Sequence, residues 1–305
     1  MKAFVVVATK GRPKETYTLL NYLEAQTFPI EKIVIVGSEA SDVDGLETHP
    51  LAAQQKVTIK ISEAGSCVQR NVGLDEVSVL TNNIVAKDWF AVIFDDDFRP
   101  SANWIENSAS LFTAEENAVG VGGKVLADGA VKGAPLTESD AIYYLNYRVP
   151  AEPHPWSGNL NRVTRGLYGC NMAIRGTFAR TERFDENLPL YGWQEDVDYT
   201  IRAMSYGQLY YVASCEGVHM GVTGGRTSGV RFGYSQIANP IYLVRKGTMS
   251  KRYACKLMFK NFSSNVFYTI MFKRRKGCLE RLIGNFKAIF DLTLNQCNPA
   301  NITKI

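Results

Sequence analysis

Four short apolar runs alternate with helix-like segments in the first third of the chain. Rich in β-branched residues, the runs cover residues 3–8, 32–36, 57–61 and 89–94. The first of them, residues 3–8, is an uninterrupted apolar run, which is typical of a strand that is buried on both faces of a sheet. A strand, helix, strand order predicts a parallel sheet with right-handed crossovers, and therefore an α/β fold.

A polar loop follows each of these predicted strands. The loops cover residues 9–12, 37–44, 64–71 and 95–99. The carboxyl ends of parallel strands share one edge of a sheet, and ligands of such sheets bind at that edge. We therefore expect the four loops to form one binding site.

The remainder of the chain has a different pattern. After residue 120, short strands and a helix near residues 194–206 predict the second half of a mixed sheet. Residues 221–233 are rich in glycine and are predicted to form a loop. From residue 240 the pattern is helical almost to the end. We therefore predict a main α/β domain over residues 1–240 and a helical, basic region over residues 241–305.

Basic residues are concentrated in the C-terminal region. Residues 251–305 contain 11 Lys and Arg residues against two acidic residues, although the whole chain has a net charge of only +4. The same region carries apolar residues at helical spacing, namely Leu279, Leu282, Ile283, Phe286, Ile289 and Phe290. Two interpretations remain open: the helix packs on the main domain with its basic edge in solvent, or it docks on an anionic membrane surface.

We find no sign of a signal peptide or of a transmembrane segment in the sequence. The apolar run near the N-terminus is too short for a signal peptide, and no run approaches the ~20 residues that cross a bilayer. The six cysteines are scattered, which is typical of reduced thiols rather than of a zinc module or a disulfide framework. We expect a cytoplasmic protein, with peripheral contact to the inner face of the cell membrane as a further possibility.

Three consecutive aspartates, Asp95, Asp96 and Asp97, follow the fourth predicted strand. In an extended backbone, Asp95 and Asp97 face the same side about 7 Å apart, whereas Asp96 faces the other side. Adjacent carboxylates repel one another, and a divalent cation such as Mn²⁺ or Mg²⁺ would relieve this repulsion. The triplet therefore predicts a metal site, with a solvated acidic loop as the alternative.

Several segments together resemble glycosyltransferase family 2. The segment Phe94–Asp97 resembles the DxD motif of that family, residues 5–13 resemble its nucleotide-binding start, and residues 70–74 resemble its ARNxG segment. The resemblance covers residues 3–225. It continues through Gly169-Cys170-Asn171, Phe184-Asp185-Glu186, Gln194-Glu195-Asp196-Val197-Asp198 and His219. The resemblance implies a GT-A fold with a Rossmann-like nucleotide-binding half, a mixed-sheet acceptor half and a helical C-terminal appendage.

The resemblance also implies a donor site for a nucleotide-diphospho-sugar and a metal ion, Mn²⁺ or Mg²⁺. Asp95, Asp97 and His219 would bind the metal, although His219 is equally well explained as a hydrogen-bonded core histidine. Arg226 lies in the glycine-rich stretch and would bind phosphate. The residues expected to contact the nucleotide sugar are Thr9, Arg12, Gly37, Ser38, Arg70, Asn71, Asp95, Asp96, Asn171 and Arg226. The alternative interpretation of Arg12 and Arg70 is that they are charged residues on the protein surface.

The candidate catalytic base lies in the segment that precedes the helix near residue 200. Inverting glycosyl transfer needs a carboxylate that takes the proton of the attacking hydroxyl group. By resemblance Asp196 is this base, with Glu195 beside it; helix capping is the alternative role. Trp193 and Trp156 are candidate contacts for the acceptor, and a core position is the alternative for Trp193.

These features predict an inverting glycosyltransferase, and the resemblance suggests a role in bacterial surface-polysaccharide biosynthesis. Its acceptor would be a glycan or a lipid-linked glycan, and no recognised motif indicates binding to nucleic acid. A nucleotidyltransferase is a weaker alternative, because the loop after the first strand has only one glycine. The other alternative is a non-catalytic protein that binds nucleotide sugars or glycans.

Overall fold

The computed structural model describes residues 1–150, 156–224, 228–271 and 277–305. The chain divides into two compact units. The first unit contains Met1–Ala64, Val68–Arg183 and Thr200–Gly225, and the second unit contains Gly65–Cys67, Phe184–Tyr199 and Arg226–Ile305.

A nine-stranded sheet runs through the described part of the first unit, in the order β3-β2-β1-β4-β8-β6-β9-β5, with β7 paired to β9. Neighbours among the first four strands are parallel, and antiparallel pairs begin where β8 joins β4. The strands are β1 (Lys2–Ala8), β2 (Ile30–Gly37), β3 (Val57–Ile61), β4 (Trp89–Asp95), β5 (Phe98–Pro100), β6 (Ala118–Asp128), β7 (Arg162–Thr164), β8 (Asn171–Arg175) and β9 (Gln208–His219). The predicted α/β fold, with a parallel half and a mixed half, is confirmed.

Helices of different lengths precede, separate and follow these strands along the chain. In the described residues they are α1 (Pro13–Glu24), α2 (Pro50–Ala53), α3 (Ser66–Leu80), α4 (Trp104–Ala114), α5 (Gly129–Lys132), α6 (Glu138–Tyr147), α7 (Gly176–Ala179), α8 (Glu195–Ala203), α9 (Gly229–Lys246), α10 (Lys251–Ile270) and α11 (Cys278–Thr293). Each of the four predicted early strands is present within one to two residues of its expected ends.

The core of the first unit lies against the apolar strands. Residues 3–7 of β1 and 89–94 of β4 are buried along their whole length, as expected for central strands covered on both faces. Helix α3 approaches β1 closely at Gly73, where a Cβ atom would lie 2.3 Å from Cγ1 of Val6. Glycine at this position therefore allows close packing between the helix and the sheet.

Helices α9, α10 and α11 make up most of the second unit. Gly233 of α9 lies against the backbone of α11, because a Cβ atom there would be 2.0 Å from the carbonyl oxygen of Arg281. Part of the predicted glycine-rich loop is therefore helical, and that prediction is wrong for residues 229–233. Gly233 thus allows close packing between the helices. At the start of α9, Ser228 caps the helix by accepting a hydrogen bond from the backbone N–H of Arg231.

The boundary predicted between residues 240 and 241 falls inside α9, and the division into a main domain and a C-terminal region stays a prediction. Among the described helices, none combines the length and the apolar composition that crossing a bilayer requires.

Candidate active site

Asp95, Asp97 and His219 form a cluster at the carboxyl end of β4. Asp95 is the last residue of β4, and the chain turns through Asp97 into β5. In the register of β5 with β9, Phe98 lies opposite His219. This pairing brings the imidazole to the two carboxylates, so that one ligand atom from each residue lies within 4.8 Å of the others.

The cluster is compact and open on one side. Nε2 of His219 lies 3.5 Å from Oδ1 of Asp97 and 4.0 Å from Oδ2 of Asp95. The side chain of Asp95 is 32% exposed, whereas that of Asp97 is 2% exposed. A cation would therefore reach the cluster from the side of Asp95.

Asp128 fixes the orientation of His219. Its Oδ1 lies 3.1 Å from Nδ1 of His219, and its Oδ2 accepts a hydrogen bond of 2.9 Å from the hydroxyl of Tyr168. Burial lowers the pKa of His219, but the carboxylates of Asp97 and Asp128 outweigh burial and raise it above the ordinary value. Asp128 was missed in the sequence analysis, because its one local signal is that of a helix N-cap.

Two arginines supply counter-charge to the aspartate triplet. Nη2 of Arg70 lies 2.7 Å from Oδ1 of Asp95, and Nη1 of Arg12 lies 3.3 Å from Oδ2 of Asp97. Burial would raise the pKa of Asp97, but the neighbouring His219 and Arg12 lower it instead. Arg70 is buried, so its interpretation as a surface charge is wrong. A divalent cation is therefore not the sole means of relieving the repulsion among these carboxylates.

Asp96 and Asp97 lie in the turn that follows β4, not in the extended backbone assumed for the triplet, because the strand ends at Asp95. Asp96 is fully buried, accepts a hydrogen bond of 2.8 Å from the hydroxyl of Thr9, and lies 2.8 Å from Nη2 of Arg12. Burial raises the pKa of Asp96 despite the opposing charge of Arg12. The carboxylate of Asp96 thus holds Thr9 and Arg12 in place from inside the protein.

The loops after β1 and β2 are joined by Asp42. Its carboxylate accepts hydrogen bonds from the backbone N–H of Gly11 at 2.6 Å and from the backbone N–H and hydroxyl of Ser38 at 2.7 and 2.6 Å. Gly37 permits this tight loop, because a Cβ atom would lie 2.9 Å from Cγ1 of Val43. Thr9, Arg12, Gly37 and Ser38 therefore belong to two adjoining loops at the edge of the parallel strands.

In the second unit, Glu195 and Asp196 form the first turn of α8. Oδ1 of Asp196 accepts a hydrogen bond of 2.8 Å from the backbone N–H of Val197. Burial first, and then the charge of Asp196, raise the pKa of Tyr253 on α10. Glu195 is buried, whereas Asp196 is partly exposed. Asp196 is therefore the more accessible of the two carboxylates.

The loop that leads into α8 has an unusual backbone. Leu190, Gly192 and Gln194 have φ angles of 59°, 65° and 74°. Left-handed conformations of residues other than glycine cost energy and persist where the surroundings hold them. Here the carbonyl of Trp193 accepts a hydrogen bond of 2.8 Å from Nδ2 of Asn239. The loop that carries Trp193 is thus held against α9.

Comparisons with known proteins give a structural likeness only. No protein-family model and no curated protein matches the sequence significantly. The structure is similar to that of S. aureus TarS, with a TM-score of 0.53 and 16% identity over 86% of this chain and 43% of that chain. It is also similar to TarS 1-349, with a TM-score of 0.51 and 16% identity over 85% of this chain and 69% of that chain.

A third similar structure is the mannosyltransferase PcManGT from Pyrobaculum calidifontis, in complex with GDP-Man and Mn²⁺. The TM-score is 0.53, with 12% identity over 93% of this chain and 87% of that chain. The chain has the GT-A fold. At these identities the likeness shows the fold alone, and this chain spans less than half of the length of TarS. The predicted GT-A fold is confirmed, and membership of glycosyltransferase family 2 stays a prediction.

Within the GT-A fold, the remaining predicted residues occupy different environments. Asn71 is buried on α3. Asn171 opens β8 opposite Phe94 and is fully buried. Its Nδ2 and Oδ1 atoms have no hydrogen-bond partner among the described residues. A buried amide without partners is costly, so a hydrogen bond to a bound molecule would stabilise Asn171. Arg226 lies outside the described residues.

The two tryptophans predicted to contact the acceptor are both partly buried. Trp156 packs against the core of the first unit, with its ring centroid 6.0 Å from that of Tyr211. Trp193 makes an edge contact with Phe232 at 6.0 Å in the second unit. Each ring thus has a packing role, and contact with an acceptor stays a prediction for both.

Proposed function

We propose that this protein is a metal-dependent glycosyltransferase that moves a sugar from a nucleotide-diphospho-sugar to a hydroxyl group of an acceptor. The observation that carries the proposal is the cluster of Asp95, Asp97 and His219 at the carboxyl end of β4 in a GT-A fold. Open α/β sheets bind their ligands at this edge. PcManGT, which has a similar fold, is in complex with a nucleotide sugar and Mn²⁺.

The three side chains fit a divalent cation. Two carboxylates are the hard oxygen ligands that Mg²⁺ and Mn²⁺ prefer, and the imidazole nitrogen favours Mn²⁺ of the two. Asp128 already directs the Nε2 atom of His219 towards the carboxylates, which is the usual arrangement around a metal-bound histidine. When bound, the cation would neutralise negative charge on the diphosphate leaving group.

We assign the nucleotide part of the donor to the loops after β1, β2 and β4. Thr9, Arg12, Gly37 and Ser38 would line it from the first two loops, and Asp95 from the third. Arg70 and Asp96 would act mainly by holding Asp95 and Arg12, because both are buried in ion pairs. The predicted contacts of Asn71, Asn171 and Arg226 with the donor are part of the same proposal.

We assign the role of base to Asp196, with Glu195 beside it, and therefore an inverting reaction. The support is the resemblance of residues 194–198 to the corresponding segment of glycosyltransferase family 2, together with the partial exposure of the Asp196 side chain. A base of this kind must be ionised to take the proton of the acceptor hydroxyl. A carboxylate in the first turn of a helix is favoured in its ionised form.

The acceptor would be a glycan or a lipid-linked glycan, contacted by Trp156 and Trp193. The corresponding setting is bacterial surface-polysaccharide biosynthesis in the cytoplasm, at the inner face of the cell membrane. Support for the role in polysaccharide biosynthesis comes from the resemblance alone, and the basic C-terminal region supports the position at the membrane.

Calorimetry with a panel of UDP-, GDP-, dTDP- and CMP-sugars, each with and without Mn²⁺, tests the donor site. We expect one nucleotide to bind, more tightly with Mn²⁺, and the Mn²⁺-dependent gain to disappear in Asp97→Asn. The matched control is Asp88→Asn, because Asp88 is exposed and precedes β4 at the opposite end of that strand. The control should bind like the wild type.

Analysis of the reaction products, with the nucleotide sugar that binds as donor, then tests whether the protein transfers the sugar. We expect Asp196→Asn to retain donor binding and to lose at least about 100-fold in the rate of sugar transfer, as for loss of a general base. If the folded protein binds no member of the panel in the presence of Mn²⁺, the proposal is wrong. Tight binding with no transfer to glycan or lipid-linked acceptors would favour the non-catalytic binding protein instead.

A further inference from the structure

Helices α10 and α11 of the second unit expose an apolar surface, which we call the outer face. On α10 it includes Phe259, 74% exposed, and Ile270, 65% exposed; on α11 it includes Phe290, 63% exposed. The apolar residues of α10 also line a shallow hollow of about 360 Å³. Contiguous apolar surfaces of this kind mark sites that bind another protein or a membrane.

The outer face follows the helical repeat. At about 100° per residue, Leu279, Ile283, Phe286 and Phe290 fall within about 60° of one another around α11. The opposite side of α11 carries Gly284, Asn285 and Ala288, all of which are buried. The apolar stripe of α11 therefore faces outward, and small or polar residues face the neighbouring helices.

The interior between α9, α10 and α11 holds a buried polar network beside an apolar cluster that includes Ile237 and Ala288. Nδ2 of Asn265 donates to Oε1 of Gln236 at 2.9 Å and to Oδ1 of Asn285 at 2.8 Å. Nδ2 of Asn285 donates to the carbonyl oxygen of Gly233 at 2.6 Å. A helix surrounded by water has its apolar side buried and its polar side exposed. Helix α11 departs from this arrangement, because it exposes its apolar stripe and buries Asn285. This exposed stripe indicates apolar surroundings at the outer face.

Basic residues share the outer face with the apolar ones. Arg252, Lys256 and Lys260 are exposed, and together with Phe267 and Ile270 they fall within about 80° around α10. Residues 251–305 as a whole contain 11 basic and two acidic residues. A second copy of this chain would bring the same positive charge to the contact, whereas an anionic lipid surface would complement it.

We propose that the outer face of α10 and α11 docks on a bilayer containing anionic phospholipids. Phe259, Phe267 and Phe290 insert among the acyl chains near the headgroups, and Arg252, Lys256 and Lys260 contact the anionic headgroups. The biological role of this docking rests on the proposed function, because a glycosyltransferase held at a membrane would meet lipid-linked acceptors there. The binding itself needs no glycosyl transfer.

Vesicle flotation of the full chain tests the proposal. One set of vesicles contains phosphatidylcholine alone, and the other contains phosphatidylcholine with phosphatidylglycerol. We expect the protein to float with the anionic vesicles, to float less in high salt, and to bind neutral vesicles at least about tenfold more weakly. No binding by the wild type to anionic vesicles would overturn the proposal.

Two variants and a control identify the surface. Phe259→Ser with Phe267→Ser and Phe290→Ser should lose at least about tenfold in binding, since each removes an inserted apolar side chain. Arg252→Glu with Lys256→Glu and Lys260→Glu should lose the preference for anionic vesicles. The control replaces two exposed apolar residues of the first unit, Val79→Ser with Leu160→Ser, and should bind like the wild type.

Unchanged vesicle binding by the triple Phe variant would overturn the assignment of the surface. Sedimentation velocity tests the alternative that a second copy of this chain binds the outer face. The outer face would be a self-association surface if the wild type formed a dimer and did not bind vesicles, and if the triple Phe variant were a monomer. Circular dichroism and thermal unfolding of each variant show that it is folded. Donor calorimetry separates the two proposals, because vesicle binding can succeed or fail whether or not a nucleotide sugar binds.

Discussion

Oδ1 of Asp128 lies 3.1 Å from Nδ1 of His219 and so turns the other ring nitrogen towards Asp97. A carboxylate behind a histidine fixes both the tautomer and the ring orientation. Tyr168 in turn holds Asp128 by a hydrogen bond from its hydroxyl. Asp128 and Tyr168 thus support the cluster without being among its three candidate metal ligands.

The first prediction concerns this support. Asp128→Asn should weaken Mn²⁺ binding by about tenfold or more while the fold is kept, because the imidazole loses its charged partner. Titration with Mn²⁺, followed by electron paramagnetic resonance, measures the free ion. Asp140→Asn is the matched control, since Asp140 also caps a helix but lies on α6 in the exposed pair with Thr137. Equal affinity in wild type and Asp128→Asn would show that Asp128 has no part in a metal site.

The second prediction concerns the buried pair of Arg12 and Asp96. Arg12→Met should lower the free energy of unfolding by about 2–3 kcal/mol, because it leaves a fully buried carboxylate without its ionic partner. The double variant Arg12→Met with Asp96→Asn should regain much of the lost stability. Its amide side chain carries no charge, and the amide oxygen can still accept the hydrogen bond of Thr9. Urea denaturation of the two single variants and the double variant gives the coupling between the residues. Additive effects would contradict a direct interaction.

The third prediction is a pH dependence in the second unit. Burial would raise the pKa of Asp185, but hydrogen bonds from Lys246 and Tyr242 outweigh it and lower the pKa to about 2. The pKa in the folded protein is thus below the unfolded value of about 3.9. The resulting stabilisation, about 2 kcal/mol, is complete above pH 5 and is lost as the pH falls from about 4 towards 2.

Asp185→Asn should therefore be less stable than the wild type at pH 7, and the difference should shrink as the pH falls below 4. Urea denaturation at several pH values measures it. The exposed Asp88→Asn should stay within about 0.5 kcal/mol of the wild type throughout. A difference for Asp185→Asn that is the same at pH 7 and pH 3 would mean that the ionised carboxylate is not the stabilising group.

Local sequence patterns predicted the early strands, whereas the extended backbone expected for the aspartate triplet stops at Asp95. Strands β1, β2 and β4 contain continuous apolar runs, whereas β3 includes Thr58 and Lys60 and is only partly buried. An extended backbone alternates its side chains whatever surrounds it. This alternation does not extend through the aspartate triplet, because β4 ends at Asp95 and residues 96 and 97 form a turn. Close packing at Gly73 and the hydrogen bonds of Asp42 were not predicted, because they depend on atoms distant in the chain.

The sequence by itself therefore determined the α/β fold and the positions of the early strands along the chain, because backbone geometry and hydrophobic periodicity are local. Only the tertiary structure decided which distant residues complete the cluster: the pairing of β5 with β9 brings in His219, and β6 ends at Asp128 behind it. It also decided that the apolar stripe of α11 faces outward. Helical periodicity defines the sides of a helix, but the neighbours that pack against it determine which side is buried.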